Sequence, residues 1–170
     1  MGAVVIRGAT PADAQAMADY MAGLSAEALD TVSRRAPPSV EDEVAFVQQA
    51  AAAERAMILI ACDGDAVVGL LDLWGGARAH NRHVAHFGMS VAQSHRRRGI
   101  GRQLVEAALQ RCRAWPGMHR VELEVVPWNT SAIALYESLG FVVEARKRAA
   151  INLRGTPEDL LLMALVWPPK

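Results

Sequence analysis

Three arginines and two glycines stand close together in SHRRRGIGRQL, the stretch at residues 94–104. Glycine has no Cβ, so its backbone can approach a ligand closely, and arginine side chains form charge-assisted hydrogen bonds with phosphates. A helix beginning here would also present the positive end of its dipole. The stretch therefore suits a phosphate-bearing coenzyme or nucleotide, although a basic patch for nucleic acid and a solvated helix start use the same residue types.

The spacing of the glycines separates this stretch from two common nucleotide-binding motifs. The dinucleotide fingerprint G-x-G-x-x-G would need a third glycine where the chain has Leu104, and it would need to lie in the first β-α unit. The P-loop motif, G-x-x-x-x-G-K followed by Ser or Thr, does not occur. A Rossmann site is therefore a poor match, and a P-loop NTPase is excluded.

Histidines recur at every third position in His80, His83 and His86, which raises the question of a metal site. In a strand, side chains alternate between faces, so His83 and His86 point in opposite directions, and no cysteine or carboxylate is interleaved with them. We therefore expect no metal site. Cys62 lies in an apolar strand-like run and Cys112 near the end of a helical run, so we expect both to be core side chains.

Size and composition describe a soluble globular chain. Its 170 residues are 52% hydrophobic and 21% charged, which allows a single folded domain over residues 1–170. Its 18 basic residues balance 18 acidic ones, which argues against a general nucleic-acid binder. The chain starts without a basic leader, and its apolar run LLLMALVW is too short to span a bilayer. We expect a cytoplasmic protein that binds neither nucleic acid nor membranes.

Hydrophobic periodicity predicts the elements that would position these residues. Runs such as AMILIAC, AVVGLLDLW and RVELEVV indicate strands, and helical spacing after Gly99 indicates a helix that begins at the glycines. Ser39 with Asp42 resembles a capping box for an earlier helix, and Asn129 or Thr130 caps a later one. The predicted order is β-α-α-β-β-β-α-β-α-β-β, with FVVEARKR and DLLLMALVW as the closing strand pair.

Two of these segments together resemble the signatures of a known superfamily. RRRGIG matches the pattern R/Q-x-x-G-x-G/A between a strand and a helix. Downstream, VVPWNTSAIALYESLGF combines a strand end, an Asn, a short helix carrying Tyr and a final Leu-Gly-Phe. In this order, with a strand between them, the two segments resemble the GCN5-related N-acetyltransferase (GNAT) superfamily. RHVAHFGMSV and DLLLMALVW further resemble bacterial amino-acid N-acyltransferases and phosphinothricin-type acetyltransferases.

The resemblance implies a fold, a co-substrate and an activity. The fold would be the GNAT fold of the α/β (α+β) class, a mixed, mostly antiparallel central sheet of about seven strands flanked by about four helices. Acetyl-CoA would be the co-substrate, and the acceptor would be the primary amine of a small molecule, an amino acid or an analogue, which attacks directly. A protein Lys or N-terminal acetyltransferase and a non-catalytic acyl-CoA-binding sensor are the alternatives.

The same resemblance implies which residues bind the coenzyme. The pyrophosphate would lie on the backbone amides of Arg98, Gly99, Ile100, Gly101 and Arg102. Side chains that would pair with phosphates, or else stay solvated, are those of Arg96, Arg97 and Arg102. The strand before the loop would splay from its neighbour, with Gly88 consistent with a bulge. Its backbone would bond the pantetheine arm and polarise the thioester carbonyl through Met89, Ser90 and Val91. Asn129 would lie near the pantetheine as well as capping its helix.

Two residues are candidate catalysts. Tyr136 lies where many family members place a phenol beside the coenzyme sulfur, able to donate a proton to the departing thiolate; a packed aromatic side chain is the alternative. His86 occupies the position where phosphinothricin-type relatives have a Glu. The imidazole of histidine suits a general base at neutral pH, and a strand histidine without chemistry is the alternative.

Acceptor binding depends on less specific signals. Residues 30–39 would form one lip of the acceptor cleft, where Arg34 or Arg35 could bind the carboxylate of an amino acid. Trp74 and His83 are further acceptor-side candidates, and sheet packing is the alternative for both. The apolar closing strand fits either a homodimer interface or the core.

Overall fold

The computed structural model describes residues 3–27, 37–153 and 155–168. Within them, no helix has both the length and the apolar character that crossing a membrane requires. The helices and strands, in chain order, are β1 (Val5–Gly8), α1 (Ala14–Ala26), α2 (Val40–Ala52), β2 (Ala56–Asp63), β3 (Ala66–Gly75), β4 (Val84–Val91), α3 (Ile100–Cys112), β5 (Arg120–Val125), α4 (Thr130–Ser138), β6 (Val142–Leu153) and β7 (Thr156–Val166).

The seven strands among these residues form one sheet in the order β1-β2-β3-β4-β5-β7-β6. Neighbouring strands are antiparallel except β4 and β5, which are parallel. Helix α3 makes the crossover between those two strands. The element order and the mixed, mostly antiparallel sheet confirm the fold predicted from the sequence.

Local sequence explains where three helices begin. At α2 the Ser39 hydroxyl accepts a hydrogen bond from the Asp42 N–H at 3.1 Å, and the Asp42 carboxylate accepts one from the Ser39 N–H at 2.9 Å. At α4 the Asn129 side chain accepts a bond from the Ala132 N–H at 3.3 Å. At α3 the cap is Gly99, whose φ of 79° lies in the left-handed region that glycine adopts most easily. The predicted capping box and the Asn129 cap are confirmed.

The closing hairpin is longer than the sequence predicted. FVVEARKR and DLLLMALVW predict strands that stop near residue 148 and start near residue 159, but β6 continues to Leu153 and β7 begins at Thr156. Two register shifts interrupt the pairing, one of them between Lys147 and Ile151. Such shifts break the alternation of apolar side chains although the strands continue, which is why periodicity missed this part.

Helices cover both faces of the sheet. One core lies beneath α3 and α4 and includes Leu71, Leu104, Val121, Tyr136 and Phe141. The other lies beneath α1 and α2 and includes Met17, Tyr20, Val47, Ile60 and Leu70. Cys112 is buried in the first core and Cys62 in the second, as the sequence predicted.

The sheet opens between β4 and β5. Their parallel pairing covers only residues 84–86 of β4 and 120–122 of β5, after which the two strands separate. The expected splay is therefore present. The bulge is not, because β4 keeps one unbroken register with β3 through Gly88, which pairs with Asp72. A Cβ at Gly88 would lie 3.3 Å from an Asp72 carboxylate oxygen, so this glycine makes room for a side chain on β3.

Four buried groups set the expected alkaline limit of stability, and burial raises the pKa of one of them, Cys62, above its usual value. Burial raises the pKa of Tyr20, Cys112 and Tyr136, each to about 12, whereas a thiol and a phenol in an unfolded chain ionise near ~8.5 and ~10. From the pKa values of the unfolded chain up to those of the folded chain, the unfolded chain releases protons that the folded chain retains. The free energy of unfolding therefore falls as pH rises. Urea titrations are expected to show a plateau below about pH 8 and a steady fall toward about pH 12. A free energy of unfolding that stays constant across that pH interval would contradict the raised pKa values of these buried groups.

Candidate active site

A cleft of about 1100 Å³ crosses the opening between β4 and β5. At one end it is lined by residues 95–97 and 99–102, at the start of α3. At the other end it reaches α1 and α2, where Met21 and Phe46 line it. Residues 86–91 and Tyr136 line it as well. A single continuous cavity therefore connects the glycine loop with a second pocket on the other face of the sheet.

The glycine loop presents backbone donors to this cavity. The first backbone hydrogen bond within α3 runs from the Gln103 N–H to the Gly99 carbonyl at 3.1 Å. The N–H groups of residues 100–102 thus precede the helical hydrogen-bond ladder, at the positive end of the helix dipole. This donor set fits a pyrophosphate.

Gly101 has a reason of its own to lack a side chain. A Cβ there would lie 3.3 Å from both the Leu135 and the Met89 side chains, which are on α4 and β4. The sequence interpretation placed this glycine next to a phosphate. The structure shows in addition that it lets α3 lie close to both of these elements.

The loop arginines have different surroundings. Arg96 donates to the Val91 carbonyl at 2.9 Å and is paired with Glu27. Arg102 donates to the Ser138 hydroxyl at 2.6 Å and contacts Glu106 at 3.3 Å. The side chains of Arg97 and Arg98 are exposed, and Arg97 lines the cleft.

A histidine that the sequence motif does not include lies beside these arginines. His95 lines the cleft, and its ring nitrogens lie 2.8 Å from the Ser94 hydroxyl and 3.3 Å from an Asp63 carboxylate oxygen. Its position within the basic stretch was the available signal. His95 is therefore a further candidate for contact with a phosphate, beside the three arginines named above.

The far end of β4 offers an open backbone edge. From residue 87 onward β4 keeps its pairing with β3 but has no register with β5. Met89, Ser90 and Val91 all line the cleft there. Ser90 is fixed from the other side by the Tyr20 hydroxyl, which donates to its Oγ at 2.8 Å. Such an edge can bond an extended chain as another strand would.

Tyr136 lies on α4 in an aromatic cluster. It is 6% exposed, and its ring makes edge contacts with Phe87 and Phe141 at centroid distances of 5.9 and 6.0 Å. Burial raises the pKa of its phenol to about 12. The hydroxyl therefore carries its proton throughout the physiological pH range. Asn129, which caps the same helix, also lines the cleft.

His86 lies where the two strands begin to separate. It is exposed, lines the cleft, and pairs in register with Trp74 on β3 and Glu122 on β5. Trp74 also lines the cleft, donates its indole N–H to Asp72 at 2.9 Å, and stacks at a tilt on Phe46 with centroids 5.9 Å apart. The structure thus brings His86 and Trp74 into one pocket.

The end of the cleft that contains His86 and Trp74 is acidic. Its lining includes carboxylates that sequence analysis did not name, on α2, β3 and β5: Asp42, Glu43, Asp72, Glu122 and Glu124. Among their partners, Arg120 lies 2.8 Å from Glu122 and Lys147 lies 2.5 Å from Glu124. The alternation in RVELEVV, which places both glutamates on one face of β5, was the signal available in the sequence.

One expected acceptor-side residue does not join the cleft. His83 directly precedes the first residue of β4 and is not among the residues that line the cleft. Its ring lies at a tilt to that of His119, with centroids 6.4 Å apart. Arg34 and Arg35, with most of the expected acceptor lip, lie outside the described residues. Within the described ranges, no three His, Cys, Asp or Glu side chains are grouped so that they could hold a metal ion.

A mixed sheet that opens over a glycine loop, with a cleft crossing the opening, is the arrangement of an acyl-CoA-dependent N-acetyltransferase. The family model described as the acetyltransferase (GNAT) family matches residues 25–141. The chain belongs to this family. It is therefore an N-acetyltransferase that uses acetyl-CoA as its co-substrate.

Individual members of this family resemble the chain in sequence and in structure. L-amino acid N-acetyltransferase AaaT of Escherichia coli is 35% identical over 109 residues, which span 64% of this chain and 67% of that protein. The solved acetyltransferase of the GNAT family from Streptococcus pneumoniae superposes with a TM-score of 0.90 at 22% identity, covering 98% of this chain and 100% of its own. A phosphinothricin acetyltransferase from Sinorhizobium meliloti, solved in complex with acetyl-CoA, has a TM-score of 0.84 at 20% identity, covering 98% and 93%. The two solved structures support the fold.

Proposed function

We propose that this enzyme acetylates the primary amine of a small molecule, an amino acid or an analogue of one. The observation that carries the proposal is the continuous cleft, because it joins the phosphate-binding end at α3 to an acidic pocket through the opening in the sheet. An amino acid is favoured because the 35% identical E. coli relative is named as an L-amino acid N-acetyltransferase. The homodimer and the single-domain organisation stay predictions.

Capture of the acceptor would depend on charge. At neutral pH an alkyl amine is an ammonium ion, and the carboxylates of Asp72, Glu122 and Glu124 line the pocket that it must enter. Arg120 and Lys147 offset part of the charge of the two glutamates. The carboxylates in the lining favour a cation over a neutral group. Phe46 and Trp74 also line the pocket, and their rings suit the apolar part of a small acceptor.

A proton must leave the ammonium before its nitrogen can attack. His86 lies in this pocket, exposed and next in register to Glu122, and in this proposal it accepts that proton. Acetyl-CoA supplies the activated thioester. The backbone of residues 89–91 at the open edge of β4 would stabilise the negative charge that develops on the carbonyl oxygen.

Tyr136 would complete the exchange of bonds. As the C–N bond forms and the C–S bond breaks, the phenol gives its proton to the leaving sulfur. The second proton of the amine nitrogen then returns to the phenolate oxygen by way of water, which restores the phenol. The proposed coenzyme contacts of residues 98–102, Arg97 and Asn129 hold the remainder of acetyl-CoA. Arg98 does not line the cleft, so its contribution would be its backbone amide alone.

The acceptor class is tested by following release of the coenzyme A thiol with a colorimetric reagent. The panel contains the standard amino acids, phosphinothricin-like analogues, polyamines and a lysine peptide. Turnover is expected with free amino acids or their analogues. In the same assay Arg34→Ala or Arg35→Ala is expected to raise the KM of carboxylate-bearing acceptors and to leave that of simple amines unchanged. Turnover with the lysine peptide alone would replace the proposal with a protein acetyltransferase.

A further inference from the structure

Glu27 connects the end of α1 with the coenzyme loop. It is the C-terminal cap of α1, and its side chain is 14% exposed. One carboxylate oxygen accepts a hydrogen bond from the Gln93 N–H at 2.7 Å, and the other accepts from the guanidinium of Arg96. A single carboxylate thus joins α1 to two points of the segment between β4 and α3.

Arg96 extends this connection to β4. Its Nε donates to the Val91 carbonyl at 2.9 Å, while a terminal nitrogen bonds Glu27. Its side chain is 31% exposed, so these bonds are partly shielded from water. These two bonds connect the side chain to the end of β4 and to α1.

The backbone that follows Arg96 is in an unfavourable conformation. Arg97 has a φ of 64°, in the left-handed region that residues with a Cβ rarely adopt, and Gly99 follows at 79°. Such a conformation persists where the surrounding contacts hold it. The contacts immediately before it are those of Arg96 with Val91 and Glu27.

We propose that Glu27 and Arg96 are positioning residues for coenzyme binding. Together they hold the turn between β4 and α3 so that the N–H groups of residues 100–102 face the pyrophosphate of acetyl-CoA. Glu27 has no place in the sequence motif, and Arg96 acts through the loop rather than as a phosphate ligand. The inference rests on acetyl-CoA as co-substrate and is independent of the acceptor.

The two roles for Arg96 predict opposite effects of a change at Glu27. If Arg96 paired with a phosphate, Glu27→Gln would release its guanidinium from a competing carboxylate, and coenzyme affinity would stay the same or rise. If Arg96 and Glu27 position the loop, the same change weakens coenzyme binding. The sign of the change in Kd therefore separates the two roles.

The experiment is a calorimetric titration of coenzyme A into the wild type, Glu27→Gln, Arg96→Gln and the double variant. Each single variant is expected to raise Kd about tenfold. The double variant should bind no more weakly than Arg96→Gln, since the ion pair is already lost in that single variant. Steady-state kinetics with a working acceptor should show a raised KM for acetyl-CoA at nearly unchanged kcat. Glu27→Asp, which keeps the charge, should restore part of the affinity.

Asp19→Asn is the matched control. Asp19 is an exposed carboxylate on the same helix whose recorded bond is to Gln15 at 2.9 Å, and its loss should leave Kd unchanged. An unchanged or lower Kd in Glu27→Gln would overturn the proposal. So would additive losses in the double variant. Because Kd is measured without an acceptor, neither result depends on the proposed acceptor class.

Discussion

Tyr136→Phe is expected to lower kcat by about 10²-fold while the KM for acetyl-CoA changes little. Phenylalanine keeps the ring that contacts Phe87 and Phe141, so the aromatic cluster persists and only the hydroxyl is lost. Because burial raises the pKa of this phenol to about 12, it is a neutral proton carrier at every pH where the enzyme is assayed. It can therefore donate a proton to the leaving sulfur but cannot act as the base.

The comparison for this variant is Tyr20→Phe. Tyr20 is also buried at 6%, and burial raises its phenol pKa to about 12 as well, yet it bonds Ser90 and does not line the cleft. We expect a change in kcat of less than about threefold there, because the lost neutral hydrogen bond is to the Ser90 side chain, whereas the proposed oxyanion contacts come from the backbone of residues 89–91. Equal effects of the two substitutions on kcat would remove Tyr136 from the mechanism. Thermal denaturation of both variants checks that each remains folded.

The elements that position the coenzyme end could be predicted because their signals are local. Gly99 opens α3, Asn129 caps α4, and the strands between them alternate, so each boundary depends on a few neighbouring residues. The predicted element order therefore agrees with the structure from β1 to β7. The hairpin end was missed because register shifts near Lys147 break the pattern without ending the strands.

Contacts between residues that are far apart in the sequence could not be predicted from the sequence. Glu27 and Arg96 are 69 positions apart, and nothing local to either residue indicates that they pair. Asp72 and Glu122 line the same cleft as His86 only because β3, β4 and β5 are neighbours in the sheet. Long-range pairing of this kind depends on strand order and register, and these emerge only from the folded sheet.

His83 is a residue that the sequence suggested for the site and that the structure places outside the cleft. The sequence made it an acceptor-side candidate, with sheet packing as the alternative, whereas in the structure its ring lies near that of His119 and it does not line the cleft. His86 lies three residues further along, at the point where β4 leaves β5. Position relative to that opening, rather than residue type, separates a candidate catalytic histidine from a surface one.

His86→Gln is expected to lower kcat/KM for the acceptor by about 10²-fold near neutral pH, because glutamine cannot accept the proton of the ammonium. The deficit should shrink as pH rises toward ~10, where a growing fraction of the amine has already lost its proton in solution. The measurement is a pH profile of kcat/KM for the wild type and the variant, taken below the alkaline limit of stability. The dependence on pH separates a base from a residue that merely shapes the pocket.

His80→Gln provides the control for this variant. His80 is exposed in the short turn before β4 and does not line the cleft, so its profile should overlay that of the wild type. A deficit in His86→Gln that is the same at every pH would show that His86 positions the acceptor without taking its proton. In that case Glu122, next in register on β5 and lining the same pocket, is the group whose Glu122→Gln variant should show the pH-dependent deficit instead.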